Sequence, residues 1–410
     1  MTHDTSTSLS QPFGPDFQAD PYAVFRQLRE KGSVHQVALP DGSPVWLVTH
    51  EADVRSGLTD PRLSVDKKHS GTGFKGFALP PALDANLLNL DGGDHLRLRR
   101  LIARGFTPRH VDALRSHIAR AVDTFVGRLV GRLEAGQQAD LVAELARPLP
   151  LKIIGDLFAV PAQEQEQFSE WISGMLAPTS KEQLVQSIVN IHQYLVGLMA
   201  TRRASPGDDI LSGLIAARDE DDRLTEDELV SLAFLILGAG SENVQHQISN
   251  AVVTLLDHPL QLSELREDPE LLPAAVEELL RYAHPNLSAI RRFATEPVDI
   301  GGIRIPAGDT VLLALGAAHR DPTRYPQPDQ FDIHRVDKDH LALGHGLHYC
   351  LGAALARTQI TLAIDALLRR VPGMQLASVP DGVRWTTTFR FRAPRELPVV
   401  LAPAASAGTV

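Results

Sequence analysis

The sequence predicts a mainly α-helical fold with a minor β part, and three observations support this class. Apolar residues recur at helical spacing along much of the chain from Asp94 onward. Short β-like runs are confined to residues 34–49, 298–315 and 374–401. A capping box, Thr225-Glu226-Asp227-Glu228, opens an apolar periodic run that ends near His258-Pro259. At 1.5 Å per residue this helix is about 50 Å long, so we expect it to cross the whole molecule.

The other elements follow from local signals in chain order. Asp20-Pro21 begins a helix that ends near Lys31, and two strands then flank the turn Pro40-Asp41-Gly42. Residues 67–94 form a long irregular segment, which in a compact protein is usually functional. Helices are further expected over 108–135, after the cap Thr107-Pro108, over 269–282 and over 351–371, with a loop over 325–345.

Composition excludes several classes of function. The chain has 410 residues, of which 43% are hydrophobic and 22% charged, so it is globular and not disordered. Forty basic residues against fifty acidic ones give a net charge of −10, which argues against nucleic acid or an anionic membrane as the main partner. The longest apolar stretch, 232–240, is less than half of the roughly twenty residues that a membrane span needs.

The chain shows neither an internal repeat nor a low-complexity linker. We therefore expect a single domain over residues 20–401, with flexible segments over 1–19 and 402–410, and a monomeric protein. The one cysteine, Cys350, cannot form an intramolecular disulfide, and the polar N-terminus lacks an apolar signal core. These features predict a soluble protein of the reducing cytoplasm.

That cysteine ends the segment Leu343-Gly344-His345-Gly346-Leu347-His348-Tyr349-Cys350, and Leu351-Gly352 follow. The glycines let the backbone approach a flat partner closely. A helix begins directly after the cysteine, and the N–H groups and dipole at a helix N-terminus favour thiolate over thiol. This is the arrangement that a thiolate ligand of haem iron needs. An isolated cysteine beside a helix would instead be inert, but the surrounding ten residues favour the ligand.

This segment resembles the haem-binding signature of the cytochrome P-450 family, Phe-Gly-x-Gly-x-His-x-Cys-x-Gly, with Leu343 in place of Phe. The resemblance spans residues 20–401 and implies the family's triangular helical domain with a long central helix and small β-sheets. It implies haem b (iron protoporphyrin IX) as cofactor, with Cys350 as the iron ligand and Gly352 beside it. Softer matches at 46–49, 60–64 and 106–108 resemble soluble bacterial members that tailor macrolides and other polyketides.

Further cofactor and structural residues follow from the resemblance. His95 and Arg99, one helical turn apart, match the pair that binds a haem propionate, and Arg292 and His348 match two more propionate positions. The alternative for each is a solvated basic side chain. The family's Glu-x-x-Arg element, which is structural, is matched by Glu278 and Arg281, and Arg335 is the candidate third member because Gln330 replaces the usual Arg.

The segment Ala239-Gly240-Ser241-Glu242-Asn243 lies midway along the long helix and matches the family's oxygen-activation kink. Gly240 would provide the kink, although close contact between two helices is an open alternative. Glu242 keeps the acid of the pattern, but Asn243 replaces the usual Thr. By alignment the substrate pocket would draw on Phe77, Leu87, Leu88, Phe234, Leu237, Gly238, Leu287, Ile290 and Thr388, with core packing as the alternative for most of them.

The resemblance implies a monooxygenase that inserts one oxygen atom from O2 into a C–H or C=C bond of a small molecule. No dinucleotide, Walker or zinc motif is present, so electrons would come from a separate ferredoxin and ferredoxin reductase. Arg97, Arg100 and Arg104 share a helix face that is either a ferredoxin docking patch or simply solvated. Asn243 keeps open a non-hydroxylating oxidation (coupling, desaturation or rearrangement), and a non-enzymatic haem protein is a second alternative. Peroxide-driven relatives fit less well, because they carry Arg-Pro where this chain has Asn243-Val244.

Overall fold

The computed structural model describes residues 9–71, 79–176, 178–219, 224–378 and 382–402. The helices are α1 (Pro15–Ala19), α2 (Pro21–Lys31), α3 (Glu51–Thr59), α4 (Pro81–Asp84), α5 (Gly92–Ala103), α6 (Pro108–Glu134), α7 (Pro148–Leu157), α8 (Ala162–Leu176), α9 (Lys181–Ala204), α10 (Ile210–Asp219), α11 (Glu226–Asp257), α12 (Pro259–Glu267), α13 (Leu272–Tyr282), α14 (Leu315–Ala318) and α15 (Ala353–Arg370). The strands are β1 (Val34–Ala38), β2 (Pro44–Val48), β3 (Leu63–Ser64), β4 (Ala139–Asp140), β5 (Arg292–Ala294), β6 (Val298–Ile300), β7 (Ile303–Ile305), β8 (Thr310–Leu313), β9 (Met374–Leu376), β10 (Trp385–Thr387), β11 (Arg392–Pro394) and β12 (Pro398–Leu401).

The long helix predicted from the capping box is α11, which has 32 residues. The Thr225 hydroxyl accepts from the backbone N–H of Glu228, and the Glu228 carboxylate accepts from the backbone N–H of Thr225. Both ends of the box therefore satisfy N–H groups that the first helical turn leaves unpaired. Most residues of α11 are buried, and the helix contacts α4, α7 and α15. It is the central element around which the helical part packs.

The β part lies beside this helical core. One mixed sheet has the strand order β1-β2-β8-β5-β3, in which β2 and β8 run parallel and the other pairs run antiparallel. A second sheet has the order β4-β12-β9, and two hairpins pair β6 with β7 and β10 with β11. The β10–β11 hairpin contributes a turn, residues 388–391, that lies close to the candidate site described below.

The packed domain begins earlier than the expected boundary at residue 20. Helix α1 occupies residues 15–19, and Phe13 and Phe17 are buried in a cluster with Phe25 and Leu287. Aromatic burial of this size outweighs the cost of ordering a few polar neighbours. At the other end, the backbone N–H of Ala402 donates to the Gly373 carbonyl at 2.8 Å. Residues 1–8 and 403–410 lie outside the described residues.

The helices and strands expected from local signals are present at close to the expected bounds, with one difference: residues 269–271 form a 3₁₀ turn ahead of α13. Residues 67–94 are less irregular than expected, because they hold a 3₁₀ turn at Lys67–His69, α4 and the start of α5. The local signals do not predict α3, α7 to α10, α12 or α14. No helix in the described part of the chain has the length and apolar character that crossing a membrane requires.

Candidate functional site

The Cys350 loop is a tight turn between the 3₁₀ turn Gly346–His348 and α15. The backbone N–H of Cys350 donates to the Leu343 carbonyl at 2.8 Å, which closes the loop. Gly344 and Gly346 have φ of +76° and +70°, a region that side-chain-bearing residues avoid. A Cβ atom at Gly346 would also lie 2.7 Å from Cγ2 of Thr59. The two glycines are therefore required by backbone conformation and by close approach to α3.

The protein around Cys350 acts on its thiol differently from the sequence expectation. Burial raises the pKa of the Cys350 thiol, and the Gly352 N–H together with the charges of Arg99 and Arg357 only partly oppose this rise. The Gly352 N–H at the helix terminus does favour thiolate, as expected from the sequence, but burial has the larger effect on the pKa. Desolvation of an anion outweighs one N–H group and a dipole end. A metal ion would reverse the balance, because coordination deprotonates a thiol.

Four of the predicted cofactor residues lie close to this loop. The rings of His95 and His348 have centroids 4.4 Å apart, and Nε2 of His348 is 2.8 Å from Oδ1 of Asp91. The other Asp91 oxygen accepts from the Ser64 hydroxyl at 2.7 Å and from the Val65 N–H at 2.8 Å. Although burial acts to raise it, these hydrogen bonds hold the pKa of Asp91 well below its usual range.

Arg99 and Arg292 supply guanidinium groups at the same place. Nη2 of Arg99 donates to the Tyr349 carbonyl at 2.7 Å, so this side chain supports the Cys350 loop directly. Arg292 opens β5 and is 3% exposed. Burial lowers its pKa to about 10, with the Asp91 charge acting in the opposite direction. Burial, followed by the charges of His348 and Arg99, lowers the pKa of His95 to about 4, so its imidazole is neutral.

Two buried donors near the loop identify the kind of group that fits there. Nδ1 of His95 and Nη1 of Arg292 are buried and have no hydrogen-bond partner within the described residues. An unpaired buried polar group costs about 1–3 kcal/mol, so such groups in a native protein normally meet a ligand, an ion or water. A Cβ atom at Gly352 would meet nothing within 4 Å. These features fit a haem: the thiol can bind its iron, the unpaired donors can bind its carboxylates, and the open space beside the loop can hold its ring.

The middle of α11 has accessible surface on one face. Apart from residues at its two ends, only Ala239 and Asn243 are exposed on this helix, and a spacing of four residues places them on one face. Nδ2 of Asn243 donates to the Ala239 carbonyl at 3.4 Å, and Oδ1 of Asn243 accepts from Nδ2 of Asn286 at 3.2 Å. This accessible face therefore carries the Asn243 amide, and Asn286 is a partner of Asn243 that the sequence did not indicate.

Glu242 is adjacent to that face and is partly accessible. Within the described residues no hydrogen bond or ion pair engages its carboxylate, and burial raises its pKa to about 7. A carboxylic acid with a pKa near the working pH can both give and take a proton. Glu242 therefore has the electrostatic property that a proton donor needs.

Gly240 has a packing role. The helix continues through residues 226–257 without a break at Gly240. A Cβ atom at Gly240 would lie 2.9 Å from Cγ1 of Ile154, on α7. The open alternative, close contact between two helices, is what the structure has at this position.

Some of the predicted substrate residues are buried, others are accessible, and one lies outside the described residues. Leu237 and Leu287 are 2% and 0% exposed and belong to packed clusters, which favours the alternative of core packing for these two residues. Leu87 and Phe234 are also buried in the main core. Phe77 lies outside the described residues. Accessible surface remains at Leu88, Gly238, Ile290 and Thr388.

The predicted structural residues form one buried network. Nε and Nη2 of Arg281 donate to the two oxygens of Glu278 at 2.7 and 2.8 Å, and Nε of Arg335 donates to Oε1 of Glu278 at 3.2 Å. Arg281 also donates to the carbonyls of His319 and Pro328, and Arg335 donates to that of Pro326 at 2.7 Å. These bonds join α13 to the loop that precedes Cys350 along the chain.

The helix face suggested as a ferredoxin docking patch does not consist only of cations that face solvent. Arg97 forms an ion pair with Glu228, the capping-box acid of α11, and lies 3.5 Å from Asp94. Arg97 thus joins α5 to the start of α11, which contradicts its placement in a docking patch. Arg100 is exposed, and the side chain of Arg104 lies outside what the structure describes.

Two site residues were missed for an identifiable reason. Asp91, which holds His348, and Asn286, which holds Asn243, lie in loops where no periodicity or capping pattern marks them. Asp91 does precede Gly92-Gly93 at the start of α5, which is the only local signal of a structural task. Their partners lie far away in sequence, so only the folded chain brings them together.

Comparison with known proteins agrees with this geometry. The cytochrome P-450 family model matches residues 153–371. The monooxygenase PikC of Streptomyces venezuelae is 42% identical over 387 residues, which cover 94% of this chain and 92% of the relative. Mycinamicin IV hydroxylase/epoxidase of Micromonospora griseorubida is 38% identical over 92% of this chain and 94% of the relative. The solved structure of the monooxygenase TamI bound to tirandamycin C has a TM-score of 0.87 at 39% identity, covering 95% of this chain and 99% of that one.

Proposed function

Because the chain belongs to the cytochrome P-450 family, whose members carry a haem-thiolate cofactor, we propose that it is a bacterial monooxygenase that tailors a secondary metabolite. It inserts one oxygen atom from O2 into a C–H or C=C bond of a small, largely apolar natural product. The relatives that tailor macrolides and related compounds support this substrate class. The cofactor is haem b, and the single cysteine suits the reducing cytoplasm.

One observation carries the proposal: the Cys350 loop lies beside two buried donors, on His95 and Arg292, that have no partner in the described protein. Cys350 would ligate the iron, and His95, Arg99, Arg292 and His348 would hold the propionates. When bound, the haem-thiolate supplies the activation of dioxygen. The remaining tasks belong to the protein.

The first of these tasks is proton management. Glu242 can release a proton near neutral pH because burial raises its pKa to about 7. Asn243 has one N–H left after its bond to Ala239, and that group can order water or substrate. A carboxamide cannot relay a proton by rotating, as a Thr hydroxyl does, so we assign proton supply to Glu242 and positioning to Asn243.

The second task is electron supply. Bacterial members of the family use separate redox partners, and we propose a ferredoxin with its reductase. Arg100 is an exposed cation next to Arg99, which bonds to the Cys350 loop, and Leu347 and Tyr349 of that loop are exposed. An acidic partner would meet this surface, and its rate of reduction would then fall as salt rises.

The decisive experiment replaces the ligand. Cys350→Ser should abolish the absorption band of the reduced carbon monoxide adduct that gives the family its name, because the only thiolate is removed. Tyr349→Phe, which changes the adjacent exposed residue, is the matched control and should keep the band. If Cys350→Ser retained a thiolate-type spectrum, the ligand assignment and the proposed function would both be wrong.

A non-hydroxylating oxidation is the second candidate, and the Asn243–Asn286 hydrogen bond favours it, because it replaces the hydroxyl of the usual pattern with a fixed amide. Product analysis with 18O2 separates the two: label in the product indicates oxygen insertion, and an oxidised product without label indicates coupling, desaturation or rearrangement.

A further inference from the structure

A surface cavity of about 340 Å³ is lined by the C-terminal end of α11, by α12 and by residues 372–376. This volume falls within the roughly 300–1,000 Å³ of small-molecule sites. Leu256, which contributes to the lining, is thirteen residues beyond Asn243 on α11, or about 20 Å at 1.5 Å per residue. The cavity is therefore separate from the candidate site around Cys350 and Asn243.

The inner wall of this cavity is apolar. A narrow space of about 20 Å³ adjoins it and shares four lining residues with it, Leu256, Leu262, Arg266 and Met374. The remaining residues around the narrow space are all aliphatic and come from α11, from α15 and from Val371. A space of this size holds about one methyl-sized group, and the flexible side chain of Met374 can adapt to what lies against it. A ligand of this cavity would therefore present an apolar body to the wall.

Among the described residues that line the two spaces, Arg266 is the charged one. Its Nε atom is buried, and in the described part of the chain it has no hydrogen-bond partner. Burial lowers the pKa of Arg266, and no carboxylate of the described residues acts in the opposite direction. The side chain as a whole stays partly accessible. Arg266 thus places a positive charge without a counter-ion at the wall of an apolar cavity.

Neighbouring arginines do not share this property. Arg369, at the end of α15, pairs with Asp365 at 2.7 Å, and Arg370 lies 3.6 Å from Asp123. A long basic side chain can lie along apolar surface with its charged group in water, but the Nε atom of Arg266 is shielded from water as well as unpaired. Such shielding destabilises a cation unless an anion compensates the charge.

We propose that this cavity binds a small amphipathic carboxylate, with its acid group on Arg266 and its apolar part against α11, α12 and Met374. Guanidinium holds a carboxylate through paired N–H donors, which fixes the orientation of the ligand. The bound molecule would contact three segments of the fold at once, so it would stabilise the folded protein. This site goes beyond the proposed function and does not depend on it.

Matched acid and amide probes test the proposal on the holoenzyme. The iron is first saturated with 4-phenylimidazole, so that the haem side is filled, and octanoate and octanamide, or phenylacetate and phenylacetamide, are then titrated by calorimetry. In the wild type at least one acid should bind about tenfold or more tightly than its amide and should raise the melting temperature. In Arg266→Gln the ratio should fall to near one, and Arg266→Lys, which keeps the charge, should be intermediate.

Arg369→Gln is the matched control, since it removes a nearby cation that already has a partner, and it should keep the wild-type ratio. Equal binding of acid and amide, no binding of either acid, or an unchanged ratio in Arg266→Gln would each overturn the proposal. The comparison of acid with amide in the wild type decides the matter even if Arg266→Gln fails to fold. None of these outcomes affects the spectrum of the carbon monoxide adduct, which tests the proposed function separately.

Discussion

At the scale of single residues, two hydrogen bonds fix the orientation of the Asn243 side chain. A carbonyl oxygen only accepts hydrogen bonds, so the Asn243 atom facing the Ala239 carbonyl must be the amide nitrogen. The opposite end of the carboxamide is then the oxygen, and it accepts from Asn286. Two neighbours thus fix the orientation of the amide and leave one N–H directed elsewhere.

Asn243→Ala should therefore raise the amount of peroxide released per NADPH consumed, because water or substrate near the open face loses an ordering donor. Asn286→Ala should act in the same direction but less strongly, since it only frees the amide to turn. Asn243→Thr should stay active, as the scaffold resembles one built around Thr. The measurement is product formed per NADPH. If Asn243→Ala matches the wild type in coupling and product pattern, Asn243 is only a packing residue.

Glu242 predicts a specific dependence of stability on pH. Its folded-state pKa is about 7 against an ordinary value of 4.5, so between these two values the folded state holds a proton that the unfolded state has lost. The free energy of unfolding should fall as pH rises through that window, by at most about 3 kcal/mol. Glu242→Gln should remove this slope, and Glu296→Gln, at an exposed position, should leave it. Urea unfolding at several pH values between 5 and 8 measures it, and equal slopes in all three proteins would refute the assignment.

Haem retention tests whether Arg292, the buried cation of the site, helps to hold the cofactor. Arg292→Leu should lower haem content and the melting temperature of the holoenzyme, since a propionate loses a charged partner in a desolvated place. Arg99→Leu should do the same and should also loosen the Cys350 loop, because it removes the bond to the Tyr349 carbonyl. Arg395→Leu serves as a control, because Arg395 is exposed and directly follows β11. Full haem content in both variants would remove these arginines from the cofactor site.

At the scale of elements, α7 and α11 approach closely only because residue 240 is glycine. Ala is the better helix former by about 1 kcal/mol, but its Cβ would lie 2.9 Å from Ile154, which is 1% exposed. Displacing a buried side chain costs typically 1–3 kcal/mol, so the steric term exceeds the helical gain.

Gly240→Ala should therefore lower the free energy of unfolding by about 1 kcal/mol. Gly131→Ala in α6, where a Cβ would meet nothing within 4 Å, is the matched control and should be neutral or stabilising by up to about 1 kcal/mol. Both are measured by urea denaturation of the holoenzyme. Stabilisation by both substitutions would show that Ile154 moves aside at no cost.

At the scale of the whole molecule, local signals predicted the elements and a family signature predicted the cofactor loop. The capping box, the Pro at the start of α6 and the glycines around Cys350 act within a few residues, so the sequence displays them. The partners of Asp91 and Asn286 come from distant segments, and no period or spacing predicts such contacts. Leu287 shows the converse, because alignment placed it at a pocket and the fold buries it beside Phe25.

The early aromatic residues have a practical consequence for anyone who shortens this chain. Phe13 packs on Phe389, and the Gln18 carbonyl accepts from Nη1 of Arg392 at 3.0 Å, so α1 and the residues before it support the turn of the β10–β11 hairpin. Trimming a recombinant protein to residue 20, as though its start were an inert leader, would remove the support under that turn. We expect such a shortened protein to unfold at a lower denaturant concentration and to hold that turn less firmly, because Phe25 and Leu287 lose their buried aromatic neighbours.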